Sequence, residues 1–289
     1  MCANCGIAEV DEIKLEECDG CDLVKYCSDK CREEHREQHH EECKGRADEL
    51  HDRRLFTQPD RNHIGECPIC FLPHSLDARK SAFMSCCGKT ICKGCGAFHI
   101  ISNIHDEVKR FTCVFCRTLT SDREEYEKRE KERIEANDPE VLRYKGSESY
   151  EAGDFDKAFD YYTKAAELGN AEAHYRLGRM YGEGVGIEKD KEKAAYHCEK
   201  ASIVGHPHAR FMLAVYESED GRLDRAVKHW IIAANLGCEY SMKQLLRMYK
   251  DGYITKEDYG STLRTHQAAI DATKSSQRDV AERMDSKNN

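Results

Sequence analysis

The chain has 289 residues, a formal net charge of −9, and 17 cysteines, of which 15 lie in residues 1–116. That length suits about two domains, and no apolar run approaches the roughly 18 residues that a membrane span needs. Residues 1–43 carry 13 Asp/Glu against 5 Lys/Arg, so the basic footprint that a phosphate backbone demands is missing and nucleic acid is not an expected partner.

The opening "MCANCGIAEVDE" has no basic stretch followed by an apolar core, so no signal peptide is expected and the compartment is expected to be reducing, cytoplasm or nucleus. In that setting dense Cys-x-x-Cys pairs read as zinc ligands rather than disulfides. Residues 1–43 hold four ligand pairs, Cys2/Cys5, Cys18/Cys21, Cys27/Cys31 and His39/Cys43, enough for two tetrahedral sites. His35 and His40 are close enough in sequence to compete with His39, but each reads first as a solvated helix-face residue.

This spacing, with "KYC" before the third pair and eight residues from Cys31 to His39, resembles a MYND finger. The resemblance implies interleaved pairs: Cys2, Cys5, Cys27 and Cys31 on one zinc, and Cys18, Cys21, His39 and Cys43 on the other. It also implies a peptide ligand, although Arg32 and Arg36 stand where the family commonly carries Gln and Trp.

A polar, charged linker follows at 44–66, and then a second cysteine-rich stretch at 67–117. Its pairs are Cys67/Cys70, the doublet Cys86/Cys87, Cys92/Cys95 and Cys113/Cys116. Adjacent Cα atoms are about 3.8 Å apart, short of the roughly 4.4–6.8 Å of an ordinary disulfide. Two sulfurs on one tetrahedral zinc are also about 3.8 Å apart, so sharing a metal is geometrically reasonable. The 15 N-terminal cysteines plus His39 make 16 ligands, which closes four zinc sites. Two alternatives stay open: one cysteine of the doublet replaced as ligand by His74, His99 or His105, or a reactive spare thiol beside Lys89.

"CPIC", "CCGKTICKGC" and "CVFCR" together resemble a RING finger, here an all-cysteine version with Lys89 where a ligand histidine is common. The resemblance implies cross-bracing, with Cys67, Cys70, Cys92 and Cys95 on a third zinc and Cys86, Cys87, Cys113 and Cys116 on a fourth. It further implies that Ile69 would contact a ubiquitin-conjugating enzyme and that Arg117 would hydrogen-bond both that enzyme and its ubiquitin. Closed zinc sites activate no water, so no residue of this chain is expected to be catalytic.

Residues 118–138, including "DREEYEKREKERIEANDP", form a charged helical connector, expected to be solvated because its opposite charges fall at i,i+3 and i,i+4. From 139 to 273 Tyr-x-x-Gly recurs and glycines close "KAAELG", "KASIVG" and "AANLG". A period of about 30–40 residues with small residues in fixed phase means stacked helix pairs. Cys198, Cys238, Trp230, Phe211 and Met212 read as core. The stretch 173–206 resembles a Sel1-like repeat through Leu177, Gly178, Tyr181, Gly184, Gly186, Asp190 and Ala194. The first unit is closer to a tetratricopeptide repeat. Such repeats imply a scaffold for protein partners.

Residues 274–289 are expected to be a disordered tail. The expected fold is thus multidomain: two small cross-braced zinc-binding α+β modules followed by an all-α Sel1-like/TPR-like helical-repeat solenoid. The expected function is a RING-type ubiquitin-protein ligase whose repeats, with the MYND finger, recruit a protein substrate. The alternative is a non-catalytic zinc-binding scaffold.

Overall fold

The computed structural model describes residues 1–4, 16–18, 21 and 24–285. They fall into two compact units, Met1–Thr57 and Gln58–Asn289. In the first, β1 (Glu16–Glu17) pairs antiparallel with β2 (Lys25–Tyr26), and Cys2 bridges to Lys25. The long helix α1 (Asp29–Leu55) starts at Ser28, whose hydroxyl accepts from the Cys31 N–H at 3.3 Å. Cys31, His35, His39 and Cys43 recur every four residues along α1, so they share one face. The same helix runs on through residues 44–55, where the sequence reads as linker.

In the second unit, β3 (Ser81–Met84) and β4 (Lys89–Cys92) form an antiparallel hairpin whose turn carries Cys86 and Cys87. Gly88 closes that turn at φ 66°, its N–H donating to the Met84 carbonyl at 2.7 Å, a backbone state that favours glycine. Helices α2 (Lys93–Ser102) and α3 (Glu107–Arg110) follow.

The charged stretch forms helix α4 (Arg123–Glu135), with no buried residue and one half-buried side. The Arg133 guanidinium lies over Gly88 and pairs with Asp138. Ile134 packs into the first core cluster of the solenoid. One side of an otherwise solvated helix is therefore committed to packing.

The solenoid is four helix pairs: α5 (Pro139–Glu151) with α6 (Phe155–Glu167), α7 (Ala171–Glu183) with α8 (Lys191–Ile203), α9 (Pro207–Glu219) with α10 (Leu223–Asn235), and α11 (Glu239–Lys250) with α12 (Lys256–Asp271). Asp138, Asp154, Asn170, Asp190 and Thr255 cap their helices through side-chain oxygens. Small residues let the helices close up. A Cβ on Gly178 would stand 2.7 Å from the Cys198 sulfur, and Ala158, Ala173, Ala194, Ala214 and Ala226 are fully buried. Cys198, Cys238 and Trp230 are buried, as core residues should be.

The tail is not structureless as far as it is described. Residues Ser276–Asp285 form a thirteenth helix, α13, packed on α2, with Arg278 and Ala281 buried. No helix of the described residues is long and apolar enough to cross a membrane.

Candidate metal centres

Two loops of identical build frame the second cysteine-rich stretch. The N–H of Phe71 donates to the Cys67 carbonyl (2.8 Å), and that of Arg117 to the Cys113 carbonyl (3.0 Å). The Cys67 and Cys113 N–H groups donate in turn to Leu72 (3.0 Å) and Thr118 (2.8 Å). Short bridges, Glu66 to Pro73 and Thr112 to Leu119, close both loops. Each loop forces the residue after its second cysteine into the left-handed region, Phe71 at φ 56° and Arg117 at φ 58°, at a cost of about 1 kcal/mol apiece for non-glycine residues. Such knuckles hold two sulfurs convergent.

Three complete ligand quartets gather, each with its ligand atoms within 4.8 Å of one another: Cys18, Cys21, His39 and Cys43; Cys67, Cys70, Cys92 and Cys95; and Cys86, Cys87, Cys113 and Cys116. Cys2, Cys27 and Cys31 gather likewise, while Cys5, their expected fourth partner, lies outside the described residues. Sulfur pairs stand 3.6 Å (Cys18–Cys43), 3.7 Å (Cys27–Cys31), 3.8 Å (Cys70–Cys92), 3.7 Å (Cys87–Cys113) and 3.5 Å (Cys86–Cys116) apart. A tetrahedral zinc with bonds of about 2.3 Å asks for edges of about 3.8 Å, so the donor sets fit zinc in size and chemistry.

Three of the five competing histidines have other partners, and two are exposed. His35 Nδ1 is 3.0 Å from the Tyr26 hydroxyl, whereas His39 Nε2 is 3.1 Å from the Cys21 sulfur. His74 hydrogen-bonds Ser81 (3.0 Å) and His99 the Lys109 carbonyl (2.9 Å); His40 and His105 are exposed. Both sulfurs of the doublet thus meet the last cysteine pair, with no histidine between them. Ile69 is 40% exposed and Arg117 is exposed.

A further cluster, absent from the sequence reading, joins the stretch before Cys67 to the solenoid. His63 and His206 stack with ring centroids 3.9 Å apart, and both direct Nε2 at Oε2 of Glu172 (3.4 and 3.0 Å). Arg176 donates to the other carboxylate oxygen at 2.7 Å. His206 also caps α9, its Nδ1 accepting from the Ala209 N–H at 3.2 Å, so its Nε2 carries the proton. Parallel rings, a protonated nitrogen and a neighbouring guanidinium make this a hydrogen-bond lock rather than a cation site. Gly205 permits it, since a Cβ there would stand 2.6 Å from the Arg61 carbonyl. The sequence clue was modest: His206 occupies the capping position that Asn170 holds one repeat earlier.

Burial pushes His206 down to about 4. Burial alone would raise Glu172, but the hydrogen bonds from His206 and His63 hold it well below the usual carboxylate range. A histidine whose folded pKa is depressed contributes stability above its unfolded value of about 6.5 and loses it as pH falls toward the folded value. From about pH 7.5 to about pH 5 the neutral His206 should therefore cost the fold about 2 kcal/mol. Urea denaturation of wild type and His206→Asn at both pH values checks this. The variant, still capped, should lose less stability, and equal losses would remove His206 as the cause.

Comparison with known proteins agrees with two of the three modules. Residues 2–43 match the MYND finger family, and residues 142–170, 171–206 and 207–238 match the Sel1 repeat. Chitin synthase regulatory factor 4 of Schizosaccharomyces pombe is 30% identical over 86 residues, which is 29% of this chain but 14% of that protein. Among solved structures, a Sel1 repeat protein from Oxalobacter formigenes is similar at 28% identity and a TM-score of 0.38, over 40% of this chain and 94% of that one. The protective antigen c5321 of uropathogenic Escherichia coli, which displays an SLR fold, is similar at 21% identity and a TM-score of 0.43, over 52% of this chain and 34% of that one. The chain therefore carries an N-terminal MYND finger, which with the cysteine quartets points to zinc, and a C-terminal block of Sel1 repeats, a combination that points to a protein–protein interaction adaptor.

Proposed function

We propose that this adaptor is a RING-type ubiquitin-protein ligase. Residues 67–117 would bind the ubiquitin-charged conjugating enzyme, and the Sel1 repeats, with the MYND finger, would recruit protein substrate. Four zinc ions would be held by the four cysteine-rich sets, with Cys5 completing the first. Zinc there stabilises the fold and supplies no nucleophile. The ligase would act by orientation, holding the enzyme-linked thioester where a substrate lysine can attack it. Such a chain belongs in a reducing compartment, cytoplasm or nucleus.

The observation that carries this reading is the exposure of Ile69, an apolar residue held between two zinc ligands and 40% open to solvent. Water-exposed apolar side chains on a rigid knuckle have a reason to be there when a partner covers them. Phe71 (72%) and Phe115 (36%) are exposed on the two knuckles as well, and Arg117 directly follows the last ligand.

Autoubiquitination with a panel of conjugating enzymes tests the proposal. Ubiquitin chains are expected from the wild type. Ile69→Ala should lower the rate at least about tenfold, the scale of a lost interface anchor, with zinc content unchanged. No chains with any enzyme would leave the second reading, a zinc-binding scaffold without catalysis, with which the MYND and Sel1 matches are equally compatible.

A further inference from the structure

Helix α13 ends the described chain against the quartet of Cys67, Cys70, Cys92 and Cys95, and two observations show how closely. A Cβ on Gly94, between Cys92 and Cys95, would stand 2.9 Å from both the backbone nitrogen and Cγ of Arg278. A helix backbone can rest there only because position 94 has no side chain. Arg278 itself is 9% exposed. Its Nη1 donates to the carbonyls of Pro73 (2.6 Å) and Thr273 (2.7 Å), and its Nη2 to the Leu72 carbonyl (3.1 Å) and the Cys70 sulfur (3.5 Å).

Those partners are three carbonyls and one sulfur; among the described residues no carboxylate pairs with Arg278. A buried guanidinium without a counter-charge is costly. The quartet beside it has the opposite problem. Four thiolates around one divalent cation leave an excess of two negative charges in a largely buried site, and N–H donors to sulfur disperse such charge. Each group supplies what the other lacks.

We infer that Arg278 is the counter-cation and positioning residue of the zinc site formed by Cys67, Cys70, Cys92 and Cys95, so that α13 docks in a metal-dependent way. This rests on the reading of that quartet as a zinc site. Coupling is reciprocal: if Arg278 holds the metal more tightly, the metal holds α13 in place to the same degree. The Lys80–Glu282 pair (2.7 Å) adds little, since both side chains are about half exposed. Docking leaves Ile69 and Phe71 uncovered, so α13 braces the first knuckle from behind without closing it off.

The test uses the full-length zinc-loaded protein and a chromogenic chelator, with Cys67→Ser identifying the release phase of this site. In Arg278→Met, which keeps the aliphatic stem over Gly94, that phase should quicken about tenfold or more while the others stay put, the usual scale for a lost hydrogen bond to a metal ligand. Arg278→Lys should restore part of the difference, and the cadmium-substituted Met variant should shift one cadmium NMR resonance. Hydrogen exchange in 276–285 should rise when this zinc alone leaves. Unchanged release and an unchanged cadmium spectrum in Arg278→Met would overturn the inference. A wild type in which Cys67→Ser removes no release phase would overturn the zinc reading beneath it.

Discussion

Cys87→Ser is expected to lower the zinc content by one ion and to unfold the segment around the hairpin turn. The Cys87 sulfur stands 3.7 Å from that of Cys113, and Cys86 3.5 Å from Cys116, so the doublet would contribute two of four donors. Structural zinc supplies about 10–16 kcal/mol of apparent binding energy in small fingers, more than a hairpin of two four-residue strands and two short helices can replace by packing. Proteolysis of residues 67–117 should become rapid, while the helical circular dichroism of the solenoid is largely kept. Cys198→Ser is the control. It is fully buried against Gly178 in the solenoid and should cost no metal. Native mass spectrometry that finds undiminished zinc in Cys87→Ser would make Cys87 a spare thiol.

Trp230→Ala should destabilise the solenoid by about 3–5 kcal/mol, the range for deleting a large buried aromatic. Trp230 is 4% exposed and lies among Ala214, Ala226, Ala234, Met242 and Leu245, with Phe211, Ile231 and Met248 packed around them. Its indole N–H has no partner among the described residues, so the substitution orphans no acceptor and the whole cost comes from lost contacts and the cavity. Stacked repeats share stability with their neighbours; the loss should therefore appear in one cooperative urea transition followed at the helical band. A change below about 1 kcal/mol would mean that the site collapses around the smaller residue.

What could be read in advance was local or periodic. Ligand pairs with two or three residues between them announce themselves because a knuckle is built from consecutive residues, and the repeating glycines and alanines announce helix pairs because each ends or tightens one. Gly184 caps α7 in the left-handed conformation, Asp190 caps α8, and Leu177 and Ala194 are buried, each at a position the repeat resemblance singled out. The unread features join distant segments. "SQRDVAERMD" is too polar and short to advertise a packed helix, and its docking depends on Arg278 meeting carbonyls and a sulfur about 205–208 residues away in sequence. The charged face of α4 hides Arg133 over Gly88 in the same way. His63 has no ligand-like spacing to Glu172 or His206 at all. Charged residues look solvated in a sequence until a partner that closes their charge is found.

The most direct test of the ligase reading is discharge of a ubiquitin-charged conjugating enzyme to free lysine, with and without the zinc-loaded chain. The reading predicts faster discharge by the wild type, a loss of that acceleration in Ile69→Ala and in Arg117→Ala, and the same zinc content in all three. Discharge that stays at the rate of the conjugating enzyme alone, across the panel, would contradict it.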